Sequence, residues 1–187
     1  MDAIQDQTFT NIEFSGLSLA TEYEACEFVN CNFAKANLSS FRFVDCVFTN
    51  CDLSNAKLTK TTLNDAKFNG CKLLGLLFHE CDDFLFTVSF GNCNLSFASF
   101  YNRALKKTTF KDCILHEADF TTANLTGSSF ENCDLARALF ENTVLEKVDF
   151  RTAYNYAINP EENKVKKARF SNANLAGLLV KYDLDIS

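Results

Sequence analysis

Phe90-Gly91-Asn92-Cys93-Asn94-Leu95-Ser96-Phe97-Ala98-Ser99-Phe100-Tyr101-Asn102-Arg103-Ala104-Leu105-Lys106-Lys107-Thr108-Thr109-Phe110 alternates Phe and Leu at every fifth residue. The same beat continues unbroken through Leu115, Phe120, Leu125, Phe130, Leu135, Phe140 and Leu145 to Phe150. Neither a helical period of about 3.6 nor the two-residue alternation of a strand produces it. Upstream, Phe28, Phe33, Leu38, Phe43, Phe48, Leu53, Leu58, Leu63, Phe68, Leu73 and Phe78 keep the beat, which then slips by two residues and resumes at Leu85. Phe9, Phe14 and Leu19 precede it with a one-residue slip before Tyr23, and Phe170 and Leu175 extend it.

A second slot lies two residues before each Phe or Leu and holds something small: Cys26, Cys31, Ala36, Cys46, Cys51, Ala66, Cys71, Cys93, Ala98, Cys113, Ala123, Ser128 or Cys133, for example. Eight of the nine cysteines occupy it, and Cys81 fits if the older register persists that far. A five-residue unit is too short to be a structural repeat by itself, so several must close one coil. Steps of twenty show how many. Phe28, Phe48, Phe68, Phe90, Phe110, Phe130, Phe150 and Phe170 form a pure Phe column once the slip is allowed. The neighbouring columns are mixed Phe and Leu, broken at Asn155 and Pro160 and ending at Leu175 and Val180, with Leu85 filling the fourth. Residues twenty apart match because they stack, which makes an all-β, four-sided solenoid of about nine coils over a single domain, residues 1–187. Slips are expected near 19–23 and 79–84, an irregular coil or loop over 151–164, and a cap or dimer segment over 176–187.

Composition excludes much else. The chain has 187 residues, with 47% hydrophobic and 22% charged, six Gly and one Pro, so disorder and collagen are out. No apolar run reaches the roughly 18 residues of a membrane span. A net charge of −6 disfavours direct binding of nucleic acid. Nine cysteines without a Cys-x-x-Cys pair, and only two His (His79 and His116), give no zinc spacing. The cysteines read as small buried hydrophobes, which points to a reducing, cytoplasmic setting. With no nucleophile elbow, phosphate loop or dinucleotide fingerprint, neither an enzyme nor a cofactor is expected.

The repeat units Ala36-Asn37-Leu38-Ser39-Ser40, Cys51-Asp52-Leu53-Ser54-Asn55, Ala118-Asp119-Phe120-Thr121-Thr122, Ala123-Asn124-Leu125-Thr126-Gly127 and Ala173-Asn174-Leu175-Ala176-Gly177 resemble the pentapeptide-repeat family. In length, Phe/Leu alternation, near-central register break and apolar tail, the chain is similar to the stand-alone bacterial quinolone-resistance group. The resemblance implies a right-handed quadrilateral β-helix with a short C-terminal cap or helix, and rods that dimerise through their C-terminal ends. It also implies a DNA-mimic that binds DNA gyrase or topoisomerase IV. A general protein-interaction scaffold with no topoisomerase role is the alternative.

Site expectations come from the irregularities. Phe84, Phe86 and Phe97 fall outside both slots beside the central slip, and either form a partner-binding patch or cover the kink. Asp83 and Arg103 fall in the small slot and either pair or swing outward, the outward swing being preferred. Acids Glu117, Asp119, Glu131, Asp134 and Glu141 mark a belt in residues 112–149, flanked by basic clusters that include Lys106, Lys107, Lys166 and Lys167. An open solenoid end must be covered. Leu178, Leu179, Tyr182, Leu184 and Ile186 are therefore candidates for a homodimer contact.

Overall fold

The computed structural model describes residues 3–14 and 21–185. Leu19 and Ile186 lie outside them. The chain is a parallel β-solenoid in which each coil has four sides. Side 1 is a seven-stranded parallel sheet, Thr8–Thr10, Glu27–Val29, Val47–Thr49, Ala66–Asn69, Val88–Gly91, Thr109–Lys111 and Ser129–Glu131. Its register places Phe9 on Phe28, Phe28 on Phe48, Phe48 on Phe68, Phe68 on Phe90, Phe90 on Phe110 and Phe110 on Phe130. Side 4 carries the strands Ile4–Gln5, Glu22–Glu24, Arg42–Val44 and Thr62–Asn64. Sides 2 and 3 are held by single bridges such as Ile114↔Asp134 and Asp119↔Leu139. Six turns are joined by continuous strand pairing, fewer than the nine coils expected. The bridges Ser129↔Asp149 and Asp149↔Arg169 carry side 1 further.

Phe rings inside stack at the spacing of the strands. Phe28–Phe48 and Phe110–Phe130 have centroids 4.8 and 4.7 Å apart with nearly parallel planes. Across the core, Phe110 meets Phe120 edge to face at 5.9 Å. Each such pair adds about 0.5–1.5 kcal/mol beyond area burial.

The small slot does more than save space. Cys51, Cys71 and Cys93 donate their Sγ–H to the carbonyls of Phe28, Phe48 and Phe68 in the coil below, at 3.3, 3.4 and 3.3 Å. Thr61, Ser128 and Thr143 donate to Leu38, Leu105 and Phe120 in the same way, at 2.8, 2.6 and 2.9 Å. The slot therefore accepts small donors as well as Ala, because a carbonyl of the coil below lies within reach of each buried S–H or O–H. Burial pushes the Cys46 thiol up to about 11 and that of Cys81 to about 12, so both stay protonated at neutral pH. Corners turn on left-handed residues, often Asn: Asn30, Asn50, Asn92 and Asn132 have φ of 52°, 53°, 52° and 51°. Gly70 takes that column with φ 64°, where a Cβ would press on the Asn50 side-chain amide.

The central slip is a bulge on side 4. Asp82 still donates to Thr61 O, and Thr87 to Leu63 O, with residues 83–86 turning between them. Leu85 does not fill its column. It sits in the left-handed region with φ 54° and is 57% exposed, while Phe86 packs against the core and meets Phe78 edge to face at 6.5 Å. Arg103 does not swing out either; it is buried in the small slot with its guanidinium 4.1 Å above the Phe86 ring. It donates to Cys81 O at 3.1 Å and Asp82 O at 2.9 Å and pairs with Asp83, whose side chain reaches back from solvent. The inserted turn leaves carbonyls of the lower coil unpaired at just the height where Arg103 can bridge them.

The second irregularity, over 151–164, is a deformed coil rather than a loop. Tyr154 remains bridged to Asp134 and Lys164 to Val144. Asn155 and Pro160 vacate the interior, and Tyr156 and Ile158 are buried instead. Asn163 takes the small slot, donating to Phe140 O at 2.7 Å and Asn159 O at 2.9 Å and accepting from Thr143 N at 2.8 Å. Beyond Phe170 the inward pattern stops. Ala173 and Leu175, expected inside, are exposed on a 3-10 helix over Asn172–Leu178, and Val180 is exposed on a second over Val180–Tyr182. The cap is seated by Ile158 N donating to Gly177 O at 2.9 Å. Gly177 lies so close that a Cβ would stand 2.3 Å from Tyr156 O.

Candidate interaction surface

Outward positions obey the same twenty-residue step as inward ones, so each side displays short vertical rows. On side 3 one row is the bridge series Leu77↔Ser99↔Asp119↔Leu139. A second follows His79, Tyr101, Thr121 and Glu141, linked by Asn102 N donating to Thr121 O and Thr122 N to Glu141 O. The adjoining corner stacks Gly75, Phe97, Glu117 and Arg137, linked by Gly75 N to Ser96 O, Phe97 N to His116 O and Glu117 N to Ala136 O. One face thus carries four half-exposed apolar side chains, Leu77 at 39%, Phe97 at 56%, Tyr101 at 49% and Leu139 at 48%. Glu117, Asp119 and Glu141 stand among them.

These groups are held in place. Asp119 Oδ1 accepts from Thr121 N at 2.9 Å, fixing the carboxylate over its own turn. Glu117 receives Arg137 Nη2 at 2.6 Å and Nε at 3.0 Å. His79 Nδ1 lies 2.9 Å from Ser99 Oγ, and its ring meets Tyr101 edge to face at 6.4 Å. An apolar surface with a fixed acidic rim suits a basic protein surface that brings aliphatic or aromatic contacts of its own.

The expected patch of Phe84, Phe86 and Phe97 does not exist as a unit. Phe97 is on the corner after side 2; Phe84, 71% exposed, is on the side-4 bulge, beyond side 3; Phe86 is turned inward. Nor do the acids form one belt. Glu131 is on side 1 beside Lys111, 3.4 Å away. Asp134 is on side 2, with His116 Nε2 2.8 Å away and Asn155 Nδ2 donating at 2.8 Å. Of the expected residues, Phe97, Glu117, Asp119 and Glu141 are brought together. Leu77, Tyr101 and Leu139 were missed as members of this face, although reading the positions flanking the inward residue at steps of twenty finds them.

At the C-terminal end, Leu178 is partly buried against the core. Leu179, Tyr182 and Leu184 are exposed, with Tyr182 donating to Glu161 Oε1 at 2.6 Å. Among the described residues, no group of His, Cys, Asp and Glu is arranged to hold a metal ion, and no helix is long and apolar enough to cross a membrane.

A family model described as a pentapeptide repeat region matches residues 21–82 and 84–154, the gap falling inside the bulge. No characterised protein matches the chain by sequence. Among solved structures, the chain is similar to a trypsin-treated variant of QnrB1, a plasmid-mediated fluoroquinolone resistance protein, with 17% identity, 100% of both chains covered and a TM-score of 0.64. A second trypsin-treated QnrB1 variant also aligns over 100% of both chains, at 17% identity and a TM-score of 0.59. HetL, a pentapeptide-repeat protein involved in heterocyst differentiation regulation in the cyanobacterium Nostoc sp. strain PCC 7120, is 20% identical over 89% of this chain and 86% of its own, with a TM-score of 0.47.

Proposed function

The chain belongs to the pentapeptide-repeat family, and from that premise we propose that it is a non-catalytic interaction protein whose side 3 docks on the basic, DNA-binding surface of a type II topoisomerase such as DNA gyrase. The observation that carries the reading is the side-3 face itself, with carboxylates at fixed heights along a rod and apolar anchors between them. The likeness of its repeat to the stand-alone bacterial quinolone-resistance group suggests the partner. Acidic groups on a straight edge occupy a basic groove by electrostatic and shape competition, with no chemistry. The exposed Leu179, Tyr182 and Leu184 at the capped end join two rods into a homodimer. The reading sets the protein in a reducing compartment such as the cytoplasm, which its buried free thiols support.

A supercoiling assay with purified gyrase, with and without a quinolone, tests this. Wild-type protein is expected to inhibit supercoiling or relieve quinolone poisoning, and Asp119→Lys with Glu141→Lys to abolish the effect. A second reading is favoured by the four apolar side chains on the face, more than charge mimicry requires. In it the rod is a scaffold for another protein. Absence of any effect on gyrase or topoisomerase IV, with Phe97 still protected in a complex of other composition, leaves that reading standing.

A further inference from the structure

The corner between sides 4 and 1 is electrically polar along its length. Six of its stacked corner positions are charged, Asp6, Asp45 and Asp65 in the N-terminal coils and Lys107, Lys147 and Lys167 in the C-terminal ones, with Ala25 interrupting the acidic run and Gly127 the basic one. The hydrogen bonds that stack them run from Asp6 N to Glu24 O, Asp45 N to Asn64 O, Lys107 N to Thr126 O and Lys147 N to Lys166 O. All six are exposed, and all have positive φ, between 49° and 60°. Between the two halves stands the bulge, where Asp65 N donates to Thr87 Oγ1 at 3.1 Å and Phe84 and Leu85 are 71% and 57% exposed. Among the described residues the three lysines engage in no ion pair, and of the acids only Asp65 does, with Lys67 at 3.5 Å. In the row beside the corner, Lys106 and Lys166 add to the basic half against one acid, Glu146.

We propose that this corner is a side-by-side interface with a second copy of the chain, lying antiparallel about a two-fold axis through the bulge. Counted in coils from Leu85, Asp65 is one below and Lys107 one above, whereas Asp6 is four below and Lys167 four above. A two-fold axis at the bulge therefore sets Asp65 against the other copy's Lys107 and Asp6 against its Lys167, each pair occurring twice, while Asp45 meets Gly127 and Lys147 meets Ala25 without repulsion. Coils in both rods repeat at about 4.8 Å, so the register holds along the whole edge. Two-fold contacts are self-complementary by necessity, and an edge whose charge reverses sign about an apolar centre is the simplest surface with that property. A uniform polyanion would meet repulsion over the acidic half. Phe84 and Leu85 of the two copies cover one another at the axis, which gives exposed apolar groups a partner.

The test uses full-length Asp65→Lys and Lys107→Glu variants. Neither residue faces the core, so both fold. Wild-type protein is expected to self-associate at low ionic strength, and more weakly at high salt, in sedimentation equilibrium. Each variant alone, with like charges facing twice per dimer, is expected to associate on the order of tenfold more weakly. An equimolar mixture recovers wild-type association, because the lysine introduced in one variant then meets the glutamate introduced in the other, while the second contact keeps the native Asp65 and Lys107. Tagged D65K should capture untagged K107E in preference to untagged D65K. Statistical mixing of the two variants overturns the proposal, since rods joined only at their ends do not bring these residues together. Salt-sensitive binding of duplex DNA that Lys107→Glu abolishes, without self-association, assigns the basic half to a polyanion and overturns it as well.

Discussion

The bulge after Cys81 and the deformed coil after Tyr154 break the same repeat in opposite ways. At the bulge the chain has two extra residues, sends Phe84 and Leu85 into solvent, and replaces the missing inward aliphatic with Phe86 under a buried guanidinium. In the deformed coil the residue count is unchanged, so the chain absorbs Asn155 and Pro160 by choosing other residues, Tyr156 and Ile158, to point inward. In both places a long polar side chain in the small slot, Arg103 or Asn163, bonds carbonyls of the coil below. An insertion costs surface regularity and creates exposed apolar groups; a substitution at fixed length is contained within the core. Only the insertion alters what a partner meets.

A regular coil calibrates the comparison. Phe110→Ala should cost about 3–5 kcal/mol in urea unfolding, because its column is stacked above and below and cannot collapse; a value near zero would contradict the stacked core. At the bulge, Arg103→Ala leaves the buried Cys81 carbonyl without its donor, at about 1–3 kcal/mol, with a smaller loss at the more exposed Asp82 carbonyl. Asp83→Ala, which removes only the solvent-facing partner, should cost less than about 1 kcal/mol. Equal losses for the two would show that the ion pair, not the carbonyls, holds the bulge. In the deformed coil, Asn163→Ala should cost about 1–3 kcal/mol, and Asn163→Thr should recover part of it, because Thr serves this slot at Thr61 and Thr143.

Acid gives the smallest effect, through two carboxyls below the deformed coil. Bonds from Arg151, outweighing partial burial, hold the Asp149 carboxyl below its usual range. Partial burial pushes Asp134 up, but bonds from His116, Asn155 and the Ala136 N–H outweigh it and hold this carboxyl low too. A carboxyl whose folded value lies below its unfolded value of about 4 contributes stability above that pH, and the contribution is lost as pH falls through the folded value. Stability should therefore decline modestly below about pH 4. Amide signals of the Asn155 side chain, bonded to Asp134, should shift over that range.

The stacked core was legible because its physics is strictly periodic: a residue twenty along occupies the same environment one coil higher. Where the period failed, so did inference from it. Leu85 and Phe86 are both apolar, and only the path of the turn decides which one faces in. Arg103 in the interior could not be read from its charge, since its bonding partners are carbonyls created by the bulge itself. The unit Ala173-Asn174-Leu175-Ala176-Gly177 satisfies the repeat yet winds as 3-10 helix, with its Gly177 carbonyl bonded by Ile158 N. The Cys-rich slot was recognised as small, but its role as a donor required seeing the carbonyl beneath it. On the surface, the acids looked like a belt because they are close in sequence, whereas proximity on this rod is set by the step of twenty.

The two strand ladders also differ in where they stop. Side 1 pairs without interruption past the bulge, from Ala66–Asn69 to Val88–Gly91, while the side-4 sheet ends at Thr62–Asn64. Mechanically, the molecule is a spine with a seam. Because each coil touches only its neighbours, fluctuations concentrate at the weakest junction. The rod should flex there, opening on side 4 about an intact side 1. Amides of residues 83–87 would then exchange with solvent well before those of Phe68 or Phe90 at the same height.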